Sequence, residues 1–302
     1  MKNDLFIISI AMMVLLLFSA YRAALPQEEK TPVIVGFPEN YFNDLDIRDA
    51  RAAIEVWGNN LTLLKPTRFY LQTILFSDLQ NLEEIYRHDK IDLLFLPVLD
   101  YLKIKNKIAI EPVVCGGWDQ EYGDSFLLVV NKASGITNLA ELQNKELIIS
   151  ADGSDELMNY WLEVQLRKNN LPAMTSFFNK TTHVNKGNQA LLPVFFNQKT
   201  ACLIKRNIYT TLNKLNPQIQ EKLFIIIESP LYIRDVFCIN SAITSKNRDL
   251  ISDIIMTIDK DAAGKQILLL FKRQTILPYK PEYIYNVETL LQDYKKLQLP
   301  PR

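Results

Sequence analysis

The chain has 302 residues, 48% apolar and 23% charged, with 34 basic and 34 acidic side chains. That is an ordinary globular composition, neither disordered nor fibrous, and the length suits two lobes of roughly 100–150 residues better than one core. The charge balance offers no basic field for nucleic acid and no polybasic tail for a membrane surface, so neither is an expected partner.

The N-terminus predicts export. Met1-Lys2-Asn3-Asp4 precedes an apolar run from Leu5 to Phe18 broken only by Ser9, followed by Ser19-Ala20-Tyr21-Arg22-Ala23-Ala24. The run has signal-peptide length and falls short of the ~20 residues a spanning helix needs. Residues 1–24 are therefore expected to be a signal peptide cut near Ala23 or Ala24, with an uncleaved N-terminal anchor as the alternative. No cysteine follows the run to take a lipid. Either way the expected location is the periplasm.

Val33-Ile34-Val35 predicts a short strand ended by Gly36-Phe37-Pro38. Glu39-Asn40-Tyr41 then opens a helix whose buried face is Ile47, Ala50, Ile54 and Trp57 and which Gly58 stops. Phe69 to Phe76 predicts a second strand, and Ser77 or Asp78 caps a helix carrying Leu79, Leu82 and Tyr86. Ile91 to Leu96 predicts a third strand, apolar throughout after Asp92, as a central parallel strand is. This β-α-β-α-β series predicts a first, doubly wound lobe with right-handed crossovers. Ile108 to Cys115 is a further strand, and GGWDQEYG, residues 116–123, is where the chain is expected to cross to a second lobe.

In that lobe Phe126 to Val130 is a continuous apolar run broken by Ser134-Gly135, and Leu139 and Leu142 sit on a short helix begun by Thr137-Asn138. Leu147 to Ile149 predicts a buried strand, and Ala151-Asp152-Gly153-Ser154 delivers the chain into a helix whose apolar face is Leu157, Tyr160, Trp161 and Val164. Ser154 or Asp152 serves as N-cap, with Glu156 in the first turn. Such a helix start presents free backbone N–H groups to the crevice beside it. A strand near Thr175–Phe178, a helix from Lys186 to Phe196, a strand Thr200–Ile204 and helical segments on either side of Pro217 follow. Phe224 to Ile227 with Ile233 to Ile239 predicts the return crossing. Helices at Ser245–Ile258, Asp261–Phe271 and Glu282–Leu297 are expected to pack back on the first lobe. The first lobe thus comprises residues 25–120 and 230–302, and the second 121–229.

Chemistry is inconspicuous. There is no phosphate-cradling glycine motif, and Gly153-Ser154 lacks the second glycine of a nucleophile elbow. His88 is expected as an exposed helix-end residue, whereas His183 is either a loop residue or a ligand contact. Neither has a partner at metal spacing, and adjacent acids such as Glu83-Glu84 face different ways on a helix. No cofactor, metal or catalytic group is expected. Three cysteines cannot all pair within one chain. Cys115, Cys202 and Cys238 are read as buried small residues, with a Cys115–Cys238 disulfide as the alternative in an exported chain.

Ser134-Gly135-Ile136-Thr137-Asn138-Leu139-Ala140-Glu141-Leu142, followed by Lys145 and a strand, resembles the second-lobe entry of type II periplasmic solute-binding proteins. The likeness is to the phosphate/phosphite/phosphonate branch of ABC-transporter receptors. Ile91-Asp92-Leu93-Leu94-Phe95-Leu96-Pro97 resembles that family's third strand and pocket loop, and Asp261-Ala262-Ala263-Gly264-Lys265 its late helix start. The resemblance implies an α/β, two-lobe periplasmic binding protein type II fold with doubly wound mixed sheets and two hinge crossings. It also implies a monomer that takes a small anionic or zwitterionic, phosphate- or phosphonate-like ligand and hands it to an ABC permease in the inner membrane. Loops at the carboxyl ends of strands build the pocket in such lobes. They give Glu39, Tyr41, Ser77, Pro97 and Tyr101 from the first lobe, and Gly153, Ser154, Asp155, Thr182, His183 and Arg206 from the second, with Tyr122 and Arg234 near the crossings. The resemblance implies several hydroxyls at the helix start, yet here Ser154 stands alone among Asp152, Asp155 and Glu156. Those acids either cap the helix or oppose a phosphate. In the latter case Arg206, Lys205 or Arg234 compensates, or the ligand carries an ammonium group or is neutral. A sensing or partner-binding use of the same scaffold is the alternative reading.

Overall fold

The computed structural model describes residues 31–42, 46–64, 69–88, 91–150, 155–260 and 262–298. The expected signal segment, Gly153, Ser154, and the side chains of Ile47, Ala50, Trp57 and Asp155 lie outside the described set. Among the described residues no helix is long and apolar enough to cross a membrane.

The first half opens with β1 (Thr31–Pro38), a short turn of 3-10 helix at Glu39–Phe42, α1 (Ile47–Leu64), β2 (Phe69–Phe76), α2 (Leu79–His88), β3 (Leu93–Pro97), α3 (Val98–Ile104) and β4 (Ile110–Gly117). The second runs through β5 (Phe126–Asn131), β6 (Glu146–Ser150), α4 (Asp155–Lys168), α5 (Met174–Phe177) and β7 (Lys180–Val184). It continues with α6 (Gly187–Phe195), β8 (Ala201–Lys205), α7 (Arg206–Leu215), α8 (Gln218–Lys222) and β9 (Leu223–Glu228). The chain then returns as β10 (Asp235–Asn240), α9 (Ser245–Ile255), α10 (Ala262–Leu270), β11 (Thr275–Pro278) and α11 (Tyr285–Gln298).

Two mixed sheets result, ordered β11-β4-β10-β3-β1-β2 and β7-β6-β8-β5-β9. In the first, β1 is parallel to β2 and β3, while β10 runs antiparallel between β3 and β4. In the second, β6 is parallel to β7 and β8, and β5 is antiparallel to β8 and β9. Helices cover both faces, which is why β5 and β8 read as unbroken apolar runs and bury every residue.

Two backbone passes join the halves, residues 118–125 outbound and 229–234 on return. They are tied to each other: Asp124 N–H donates to Tyr232 O at 3.1 Å and Tyr232 N–H to Asp124 O at 2.9 Å. Gly123 makes the approach possible, since a Cβ there would lie 2.3 Å from Tyr232 O.

Three expectations need correction. Gly58 does not stop α1, which continues to Leu64; it is a packing glycine, because a Cβ would sit 1.8 Å from Leu71 Cδ1. The strand expected at Thr175–Phe178 is helical, and β7 lies a few residues later. The C-terminal helix does not pack only on the first half. Tyr294 of α11 lies 4.2 Å from the Tyr160 ring of α4, and Lys168 pairs with Asp293 at 2.7 Å. Val287 and Leu290 join a core that contains both Leu94 of the first sheet and Ile149 of the second. The cysteines follow the expectation of buried small residues: all three are free and buried. Cys115 lies opposite Val236 and Cys238 opposite Pro112, so the two are not cross-strand partners. Burial pushes the Cys115 thiol up to about 12.

Candidate functional site

In both sheets the parallel strands end on the side where the halves face each other, and helix starts follow there. On the first half the wall is built by Tyr41 and the aromatic rings behind it. Tyr41 meets Phe95 edge-on at 4.9 Å, and Phe271 stacks on Phe37 at 5.3 Å. The Tyr41 hydroxyl reaches Asp235 Oδ2 at 3.4 Å. Burial raises its phenol against the nearby positive charges of Arg273 and Arg234, and Asp100 adds to the rise. Asp235 itself is sealed by Arg273, whose Nε donates at 3.3 Å and whose Nη2 closes the pair. Val98 N–H donates to Arg234 O at 2.8 Å, which fastens the return pass to the start of α3.

Beside Arg234 lies a pocket of about 270 Å³ between the halves, lined by Trp118, Asn188, Asn207, Ile208, Thr211, Leu212, Arg234 and Lys272. Trp118 and Arg234 come from the two passes, Lys272 from just past the end of α10, and the rest from the first turn of α6 and the first two turns of α7. Near Tyr41, the first turns of α3 and α4 carry Asp100 and Glu156. Burial raises the Asp100 carboxyl, Lys103 works against that, and the Glu156 charge pushes it further up. Glu156 accepts a hydrogen bond from Tyr160 Oη.

The sequence-predicted residues disperse. Tyr41, Pro97 and Arg234 stand at the groove. Gly153 and Ser154 lie outside the described residues, as does the Asp155 side chain. Glu39 is exposed on the turn after β1. Ser77 follows the outer strand β2 and is exposed; its hydroxyl lies 3.2 Å from Asp78 Oδ2, and Asp78 caps α2 through Asn81 N–H at 2.8 Å. Tyr101 is 8% exposed in the core, its phenol pushed up to about 12 by burial and by the Cys238 and Glu288 charges. Tyr122 stacks on Tyr283 at 4.0 Å with parallel rings. Thr182 and His183 are exposed on β7, an outer strand, so His183 belongs to a strand and not to a loop. Arg206 is clasped through Nε and Nη2 by Glu228. Lys205 is fully buried at the end of β8. His88 is exposed at the end of α2, as expected. Among the described residues no group of three His, Cys, Asp or Glu side chains could hold a metal ion.

Sequence reading missed Trp118, Asn188, Asn207, Thr211 and Lys272. The signal for Trp118 was present, a bulky aromatic inside the Gly116–Gly123 break. Lys272 had none, because its place depends on how α10 ends.

A family model described as "ABC transporter, phosphonate, periplasmic substrate-binding protein" matches residues 65–283. No curated protein matches. Among solved structures, XAC2383 from Xanthomonas citri bound to chloride ion is similar at 11% identity and a TM-score of 0.59, over 88% of this chain and 98% of that one. PhnD1 from Prochlorococcus marinus in complex with methylphosphonate is similar at 15% identity and 0.55, over 89% and 100%. The aliphatic sulphonate binding protein SsuA from Escherichia coli is similar at 13% and 0.50, over 89% and 94%. At these identities the likeness establishes the fold, the type II periplasmic binding architecture.

Proposed function

Because the chain belongs to the family of periplasmic substrate-binding proteins of phosphonate ABC transporters, we propose that it is an exported receptor for a small anionic or zwitterionic ligand. It closes its halves around that ligand and delivers it, as a monomer, to an inner-membrane ABC permease. The family is a class of transporter receptors and not of enzymes, and the reading assigns no catalytic step. One observation carries it: a groove lies where the parallel strands of both sheets end, spanned by two passes that are hydrogen-bonded to each other. Hinge closure about such passes is the motion this architecture permits.

The proposed contacts are Tyr41, Pro97 and Arg234, with Gly153, Ser154 and Asp155 at the start of α4 and Thr182 and His183 nearby. Residues 1–24 are proposed as the export signal. The test is isothermal titration with methylphosphonate, phosphite and methanesulfonate, paired with small-angle scattering. Saturable binding of at least one, with a smaller radius of gyration, supports the receptor. Binding of none, with no change in shape, overturns it.

A further inference from the structure

We infer that the segment from Tyr279 through α11 is a strap laid across the hinge, and that its contacts with α4 are a latch holding the two halves at one angle. The inference rests on the receptor reading for its hinge motion and adds the part that restrains it.

The segment is fastened in sequence order from one half to the other. It leaves the first sheet at β11, where Tyr279 N–H donates to Val113 O of β4 at 2.9 Å. Tyr283 then stacks on Tyr122 of the outbound pass at 4.0 Å. Asn286 Nδ2 donates to Leu231 O of the return pass at 2.9 Å. Two residues on, Glu288 takes Lys105, just past α3 in the first half, at 2.9 Å. The last contacts are on α4 of the second half, Asp293 with Lys168 at 2.7 Å and the Tyr294 ring with that of Tyr160 at 4.2 Å. Between these fastenings Val287 and Leu290 are buried in the core that draws on both sheets.

A helix pinned to both halves cannot follow a hinge without slipping on one of them. Its hold on the first half is continuous with the chain of β11, so the slip falls on α4. There the Lys168–Asp293 pair, with side chains 58% and 22% exposed, sets the register more than it stabilises. The stacked tyrosines and the buried row behind them do the holding. Tyr160 also donates its hydroxyl to Glu156 in the first turn of α4, near Tyr41. The latch therefore shares a side chain with the groove, and a change at either is felt at the other through that one ring.

Double electron–electron resonance on the full chain, spin-labelled through Glu84→Cys and Lys180→Cys, reads the angle between the halves. Both positions are exposed, one on α2 and one on β7, and the native thiols are buried. Without ligand the parent should give one narrow distance distribution. Tyr294→Ala and Asp293→Lys should each broaden it. Adding Lys168→Glu to Asp293→Lys should narrow it again, a restoration that a general loss of stability would not give. A parent as broad as the variants, variants as narrow as the parent, or a failed restoration overturns the latch. Narrow variants in a chain whose radius of gyration still shrinks with methylphosphonate sink the strap and leave the receptor reading intact. Broadening with restoration, in a chain that methylphosphonate neither binds nor closes, keeps the strap and sinks the receptor.

Discussion

The return pass is bracketed by two carboxylates, each held by an arginine, and the two pairs differ sharply. Glu228 ends β9 and is held by Arg206, with side chains 37% and 43% exposed. Asp235 opens β10 and is held by Arg273, with side chains 0% and 4% exposed. The outer pair sits in water, where such bridges contribute little. The inner pair has lost its hydration and depends on its geometry, so removing either partner strands a buried charge. Tyr41 rests on the inner pair at 3.4 Å, which makes that pair the floor under one wall of the groove. The outer pair, joined by Ser125 to Glu228 Oε1 at 2.7 Å, fastens the two passes where they enter the second half. Nearly the same chemistry thus builds a fixed floor on one side of the hinge and an adjustable clasp on the other.

The largest effect expected is on the floor. Arg273→Ala should cost about 3–5 kcal/mol in urea unfolding, the price of leaving Asp235 uncompensated. Asp235→Leu combined with Arg273→Met should recover most of that, because replacing a buried pair by apolar groups is often close to neutral. If the single variant loses less than the exposed pair does, the contrast between the two is wrong.

Next comes the tie between the passes. Gly123→Ala would drive a methyl against the Tyr232 carbonyl, which no side-chain rotation relieves. A loss of about 1–3 kcal/mol is expected, with faster amide exchange at Asp124 and Tyr232. Protection unchanged at both amides would show that the passes do not depend on this bridge.

The clasp should matter less. Burial pushes the Glu228 carboxyl up, but the hydrogen bonds from Arg206 and Ser125 and the Arg206 charge outweigh it and hold the group below the usual glutamate range. Its contribution is therefore fully present above the unfolded glutamate value of about 4.3 and is lost as pH falls through the lower folded value. Glu228→Gln should cost at most about 1 kcal/mol at neutral pH, a difference that shrinks in salt and disappears in acid. A cost as large as that of Arg273→Ala would erase the distinction.

Most of this framework was legible in sequence because it rests on local pattern. The apolar run at Phe126–Val130 and most of that at Ile91–Leu96 are strands buried on both faces, and the composition break at Gly116–Gly123 leads into the outbound pass. What failed was decided by tertiary packing. Gly58 reads as a stop until Leu71 is seen beneath it. Thr275–Pro278 is four half-buried residues at a sheet edge, too short to show alternation. The C-terminal helix has an ordinary amphipathic stripe, and nothing in that stripe says that Tyr294 will meet Tyr160 across the halves. The candidate contacts were read from strand ends and crossings, and the fold brings Tyr41, Pro97 and Arg234 of that set to the groove. Arg206 also lies at a strand end, but Glu228 claims it from a strand 22 positions later. The pocket beside Arg234 depends on Lys272, two residues past α10, reaching the passes, a placement no spacing encodes.

The smallest expected effect probes the carboxylates at the starts of α3 and α4 and has the opposite sign to the clasp. Burial and the Glu156 charge hold the Asp100 carboxyl above its usual range, with Lys103 only partly offsetting them. A raised folded value means that the folded state holds the proton more tightly than the unfolded chain. Below the unfolded aspartate value of about 3.9 both states are protonated and Asp100 costs nothing. As pH rises past it the unfolded chain ionises first, and stability falls until the folded group ionises too. Asp100→Asn should therefore raise Tm slightly at neutral pH and leave it unchanged in acid, while Glu228→Gln lowers it at neutral pH and does nothing in acid. Placed in a Glu156→Gln background, Asp100→Asn should gain less, because the charge that pushed its carboxyl up is gone. An equal gain in both backgrounds would mean that the two carboxylates do not sense each other across the groove.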